Sequence, residues 1–94
     1  VLKGAYTVIA APDDRTCISP FANPVLASGG TGDVLSGVIG TFLAQGLEPY
    51  AAAVAGTYIH SCAAEELSKT YATTGVIASD LLSEIPKILT RLSA

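Results

Sequence analysis

Asp33 follows Gly29, Gly30 and Gly32 in the run Ser28-Gly-Gly-Thr-Gly-Asp, and an apolar repeat begins at the next residue. A glycine-rich entry into a helix leaves the first backbone N–H groups open, because they lack acceptors inside the helix and carry the positive end of its dipole. Such amides can hold a phosphate, and a carboxylate beside them can take the proton of an incoming hydroxyl. Phosphoryl transfer needs little more than this combination of positioning and electrostatics. A plainer reading uses the same residues: Thr31 caps the helix, Asp33 complements the dipole for about 0.3–1 kcal/mol, and the glycines only turn the chain. Spacing alone leaves both open. Two familiar phosphate motifs are excluded, since no Gly-Lys-Ser/Thr follows and Leu35 stands where a dinucleotide fingerprint has its third glycine. His60 has no second ligand at metal spacing and reads as a hydrogen-bonded helix histidine, so no protein metal site is expected.

The elements that must position these residues follow from periodicity. Val34, Leu35, Val38, Ile39, Phe42 and Leu43 fall on one helical stripe, which predicts a helix over 31–45 with Gly46 as a left-handed stop. Its other face, with Ser36, Gly37, Gly40, Thr41 and Ala44, is small enough for a second helix or a sheet to come close. Pro49 suits the first position of the next helix, which runs on to Thr70, stays apolar on nearly every side until Glu65 and must therefore be buried. Upstream, strand formers at Tyr6 to Ala10, a turn at Pro12 to Arg15 and a short strand at Thr16 to Ile18 predict a hairpin. After a polar link from Tyr71 to Gly75, Ser79 is expected to be an N-cap with Asp80 in the first turn, and Pro86 to kink or restart the last helix. The fold class is α/β, a hairpin or pair of short strands followed by three helices.

Composition sets the outer bounds. A chain of 94 residues holds one domain at most, and its 14% of charged residues, against about 25% in an ordinary soluble domain, is too little to coat a free-standing globule that is 50% hydrophobic. With no methionine in the sequence, residues 1–94 read as a single partial domain, a piece of a longer polypeptide. No apolar run reaches the 18 or so residues of a membrane span. Five scattered Lys and Arg against eight acidic residues argue against nucleic acid. Cys17 and Cys62 form no redox or metal spacing and suit a reducing, cytoplasmic compartment. Glu65 and Glu66 ahead of Lys69 read as a solvated helix end.

The segments "LKGAYT" at Leu2 to Thr7, "NPVLASGGTGDVLSGVIGTFLAQG" at Asn23 to Gly46, "YIHSCAAE" and "GVIASDLLSEIP" occur in this order across essentially the whole chain. Together they resemble the C-terminal portion of the ADP- or ATP-dependent NAD(P)H-hydrate dehydratases. The resemblance implies part of a ribokinase-like α/β/α sandwich. It also implies an enzyme that repairs hydrated NADH or NADPH by phosphorylating the 6-hydroxyl and eliminating phosphate, with ADP or ATP as donor and Mg2+. On that basis Lys3, Gly4, Ala5, Tyr6 and Thr7 match a first nucleotide-contacting segment. Asn23 through Gly32, including Gly29, match a second, and Asp33 matches the acid that meets the hydrated nicotinamide. In mechanistic terms Asp33 is the base, the amides of Gly30, Thr31 and Gly32 form the anion hole, and Lys3 is a phosphate or structural contact. Expected partners are the nucleotide, hydrated NAD(P)H, the remainder of the chain's own polypeptide and further copies in a homo-oligomer. A ribokinase-like kinase of a sugar or thiamine-precursor alcohol, and a non-catalytic nucleotide-binding module, are the alternatives. The chain departs from the family pattern at Ala22 and Val25, which flank Asn23-Pro24 and bear on the nucleotide loop, and at Ser61 after His60, which bears on helix packing.

Overall fold

A computed structural model of the chain describes residues 1–3, 6–20, 23–27, 29–69 and 77–93. Strands β1 (Val8–Ala10) and β2 (Thr16–Ile18) pair antiparallel with Ile9 opposite Cys17. The turn closes where Asp14 N–H donates to the Ala11 carbonyl at 3.2 Å, with Asp14 itself at φ 69°. A short polar side chain tolerates that left-handed backbone better than a branched one. Arg15 then ties the hairpin to the helical layer: its guanidinium meets Glu48 at 2.6 Å and Asp13 at 2.8 Å and lies 4.7 Å over the Tyr50 ring. The hydrogen bonds from Arg15 hold the Glu48 carboxyl down at about 2.

A 3-10 turn (Pro24–Ala27) leads to α1 (Thr31–Ala44), which ends as its glycine predicts. Gly46 takes φ 96°, its N–H donates to the Leu43 carbonyl at 3.0 Å, and Leu47 N–H returns to the Phe42 carbonyl at 3.1 Å. These are the paired bonds of a Schellman stop. Helix α2 (Pro49–Ser68) starts with proline at its first position and Glu48 as N-cap, whose side chain accepts from Ala51 N–H at 3.1 Å. It lies against both α1 and α3 and is buried through its middle, as its all-round apolar sequence requires. At the crossing with α1, Gly56 lets the backbones approach so closely that a Cβ there would fall 2.6 Å from Ile39 Cγ1.

Helix α3 (Ala78–Ser93) begins two residues earlier than an N-cap at Ser79 would allow. Asp80 is the reason: its carboxylate accepts from Ile77 N–H at 2.9 Å, closing the helix entry from inside the first turn. Pro86 neither breaks nor restarts the helix. Leu82, whose carbonyl loses its usual partner, and Pro86 are both exposed, so water can serve that carbonyl. The core joins Val25, Ile59, Ala63, Ala64, Leu67, Leu81 and Ile88. Fully burying a side chain such as Leu81 or Ile88 is worth about 1.5–3 kcal/mol each. Val25, one departure from the family pattern, is thus a core residue, and Ser61 is buried within α2; Ala22 and the link 71–75 lie outside the described residues. Large apolar side chains stay exposed on the hairpin (Leu2, Ile18) and on the outer side of α3 (Ile77, Leu82, Leu92). Among the described residues no helix is long and apolar enough to cross a membrane.

Candidate active site

The glycine loop is built around Thr31. Gly30 is the N-cap of α1 at φ 86°, and among the described residues no side-chain bond caps the helix. Thr31 does not serve as cap. It is the first helical residue, 2% exposed, and its hydroxyl turns backward to donate to the Leu26 carbonyl at 2.8 Å. The Thr31 hydroxyl therefore takes up none of the first-turn amides, which have no acceptor inside the helix.

Lys3 arrives at the same point from the start of the chain. An isolated bridge, with Leu2 N–H to the Val8 carbonyl at 2.8 Å and Val8 N–H to the Leu2 carbonyl at 2.9 Å, ties the start of the chain to β1. From it Lys3 Nζ reaches to 3.4 Å from Thr31 Oγ1, and a Cβ at Gly32 would lie 3.7 Å from the ammonium. A cation at the positive end of a helix is electrostatically adverse by itself. An anion placed between ammonium and amides reverses that sign.

Asp33 is exposed in the first turn of α1, and among the described residues nothing hydrogen-bonds or ion-pairs with its carboxylate. Behind the loop, His60 of α2 is 2% exposed and its Nε2–H donates to the Thr31 carbonyl at 2.9 Å. Burial, and then the Lys3 charge, lower its pKa, so the ring is neutral at pH 7.

The structure gathers Lys3, Gly29, Gly30, Thr31, Gly32 and Asp33 at the entry of α1. Tyr6 is exposed and Thr7 buried in the loop beside β1, where the Thr7 carbonyl accepts from Ser19 N–H at 2.8 Å. Gly4 and Ala5 lie outside the described residues. The Asn23 side chain is committed elsewhere: its carbonyl oxygen accepts from Val25 N–H at 2.9 Å, and its amide donates to Ser68 at 2.9 Å and Glu65 at 3.1 Å. It pins the 3-10 turn to the end of α2, so Glu65 is not the solvated residue that its sequence position suggests, whereas Glu66 does pair with Lys69 at 3.0 Å. Sequence reasoning missed Leu26 and His60 as supports of the loop. The His60 bond joins residues 29 apart and the Leu26 bond residues five apart, and no sequence pattern marks either.

Replacing Gly30 by alanine forces a side chain onto a left-handed backbone and sets its methyl 3.1 Å from the Ala78 Cβ at the start of α3. Gly30→Ala is expected to cost about 1–2 kcal/mol of stability, read as a lower urea midpoint. An unchanged midpoint would show that the loop does not need this conformation.

The model of the NAD(P)H-hydrate dehydratase family (Carb_kinase) matches residues 1–87. The bifunctional NAD(P)H-hydrate repair enzyme Nnr of Escherichia coli (strain K12) is 49% identical over 89 residues, 95% of this chain and 17% of that protein. The ADP-dependent (S)-NAD(P)H-hydrate dehydratase of Xanthomonas campestris pv. campestris is 36% identical over 92 residues, 98% of this chain and 32% of that protein. The crystal structure of the ADP/ATP-dependent NAD(P)H-hydrate dehydratase from Bacillus subtilis, co-crystallized with ATP/Mg2+, superimposes with a TM-score of 0.91 at 36% identity, over 97% of this chain and 33% of that one. The chain thus spans from about a sixth to about a third of the length of these relatives. The hairpin and three helices correspond to a portion of that ribokinase-like α/β fold. With its motifs in order, its backbone superimposed and nearly its whole length matched, the chain belongs to the NAD(P)H-hydrate dehydratase family.

Proposed function

We propose that residues 1–94 form part of a ribokinase-like domain and supply the phosphate-binding loop and the base of a nucleotide-dependent dehydratase acting on hydrated NADH or NADPH. One observation carries this reading: among the described residues no side chain caps the entry of α1, the Lys3 ammonium stands beside it, and Asp33 is exposed with no hydrogen bond or ion pair. The amides of Gly30, Thr31 and Gly32 hold the phosphoryl group to be transferred, and Lys3 adds positive charge where negative charge develops. Asp33 takes the proton of the 6-hydroxyl as its oxygen attacks the terminal phosphorus of ADP or ATP, and the shortened nucleotide departs. Loss of phosphate from C6, with a proton from C5, then restores the ring double bond. Tyr6, Thr7 and the backbone at Asn23, with Gly4, Ala5 and Gly29, border the nucleotide in the same reading.

Among the described residues no three His, Cys, Asp or Glu side chains converge on one point. The fit for Mg2+ is therefore through the nucleotide's own phosphate oxygens, with Asp33 the nearest candidate carboxylate. Bound there, the ion would neutralise phosphate charge. The exposed apolar residues of the hairpin and the outer side of α3 are surfaces for the remainder of the polypeptide and for further copies of it to cover. A cytoplasmic setting, where reduced nicotinamides and nucleotides are abundant, belongs to the same reading.

Product analysis tests the reaction. The complete polypeptide, given hydrated NADH with ADP or ATP, is expected to release phosphate and recover absorbance of the reduced nicotinamide in equal amounts. A stable phosphate ester, with no recovery, would contradict dehydration and indicate a kinase.

A further inference from the structure

Gly30 and Gly32 have no side chains with which to fix the direction of their amides, so the loop is anchored through the residue between them. Among the described residues Thr31 is held by the Leu26 carbonyl on its hydroxyl at 2.8 Å, by Lys3 Nζ on the same oxygen at 3.4 Å, and by His60 Nε2–H on its carbonyl at 2.9 Å. Of the three, only the bond from His60 grips the backbone. It also comes from the buried middle of α2, the longest helix among the described residues.

We propose that His60 is a positioning residue of the phosphate site, which aims the first-turn amides of α1 through its hydrogen bond to the Thr31 carbonyl. The inference rests on the reading of that loop as a phosphate site. His60 does not touch the reacting atoms; its influence passes through one peptide group. That peptide joins Thr31 to Gly32, so the carbonyl His60 holds and the N–H offered to phosphate belong to the same rigid plane. Rotating the plane to satisfy the carbonyl elsewhere would turn the Gly32 amide away from its anion. The neutral Nε2–H tautomer suits this task, since it donates to the carbonyl without setting a buried positive charge near the Lys3 ammonium.

The test compares His60→Gln, whose terminal amide can donate from nearly the same position, with His60→Leu, which fills the space and donates nothing. Both are made in the complete polypeptide and assayed for kcat and for the KM of each substrate, with ADP affinity measured separately by calorimetry. In His60→Leu the nucleotide KM and the ADP dissociation constant are expected to rise roughly ten- to hundred-fold, the order of loss that misplacement of a catalytic group produces. The KM for hydrated NADH is expected to stay within about two-fold, and His60→Gln to recover most of the nucleotide loss. A merely structural role would lower the amount of active protein without separating the two KM values. Wild-type nucleotide affinity in a folded His60→Leu protein, or a Gln variant as impaired as Leu, would overturn the proposal. Should His60→Leu fail to fold, the Gln comparison still decides, together with 15N shifts of the wild-type ring. These are expected to show the proton on Nε2 at pH 7, and a proton on Nδ1 alone would overturn it. A wild-type protein that binds ADP but does not restore hydrated NADH would instead sink the proposed reaction, leaving the ADP comparison to judge His60.

Discussion

Asp33→Asn is expected to lower nucleotide-driven recovery of reduced nicotinamide by about 10²–10⁴-fold, the usual contribution of a positioned general base. Asparagine keeps the size of the side chain but replaces the basic carboxylate by an amide that cannot take up the hydroxyl proton. The substitution should be otherwise mild. Asp33 is exposed and makes no hydrogen bond or ion pair with the described residues, so folding loses only its interaction with the helix dipole, about 0.3–1 kcal/mol. Nucleotide affinity should hold or improve slightly, because a negative charge is removed from beside a bound phosphate. Turnover, nucleotide dissociation constant and urea midpoint together separate a base from a dipole complement. The plainer reading of the sequence predicts a small stability change with activity intact, and that result would remove Asp33 from the mechanism.

The second large effect concerns packing. A methyl at Gly56 would stand 2.6 Å from Ile39 Cγ1 and 3.5 Å from the Ile39 Cα and backbone nitrogen, so relief requires the Ile39 side chain to leave its place in the crossing or α1 and α2 to separate. Overpacking of this kind costs about 1–3 kcal/mol. Replacing a helical glycine returns up to about 1 kcal/mol. Gly56→Ala should therefore lower stability by a net of roughly 1–2 kcal/mol, seen as a lower midpoint in urea. The consequence reaches the site, because α2 carries His60 and α1 begins at Thr31, and their 2.9 Å bond depends on the same crossing. Weaker nucleotide binding should accompany the lost stability. Unchanged stability and unchanged affinity would show that the two helices do not rely on this contact.

Much of this framework was legible in the residues. The stripe from Val34 to Leu43 and the glycine at 46 define α1 because helix periodicity and left-handed backbone are local properties. Pro49 marked the first position of α2, and the apolar composition of that helix announced its burial. Local signals misled where a competing partner was available. Ser79 resembles a cap, but Asp80 reaches back to Ile77 and starts α3 earlier, and Pro86 is accommodated on an exposed face. Thr31 was weighed as a cap and is instead drawn back to Leu26, which leaves the helix entry open. What the residues could not disclose were the long-range bonds. His60 to Thr31 and Asn23 to Glu65 and Ser68 join positions 29, 42 and 45 residues apart, and only the packing of α2 against the loop creates them. His60 reads as a hydrogen-bonded helix histidine and is one, but its sequence position does not disclose Thr31 as its partner, nor does that of Asn23 disclose the tie of its side chain to α2.

The most direct measurement is a crystal structure of the complete polypeptide with a non-transferable ATP analogue and NADPH. Terminal phosphate oxygens are expected within about 3 Å of the amides of Gly30, Thr31 and Gly32, with the Asp33 carboxylate turned toward the C6 face of the nicotinamide. A nucleotide whose phosphates lie away from the entry of α1, or an Asp33 carboxylate pointing into bulk water while both ligands are bound, would contradict the assignment of this loop.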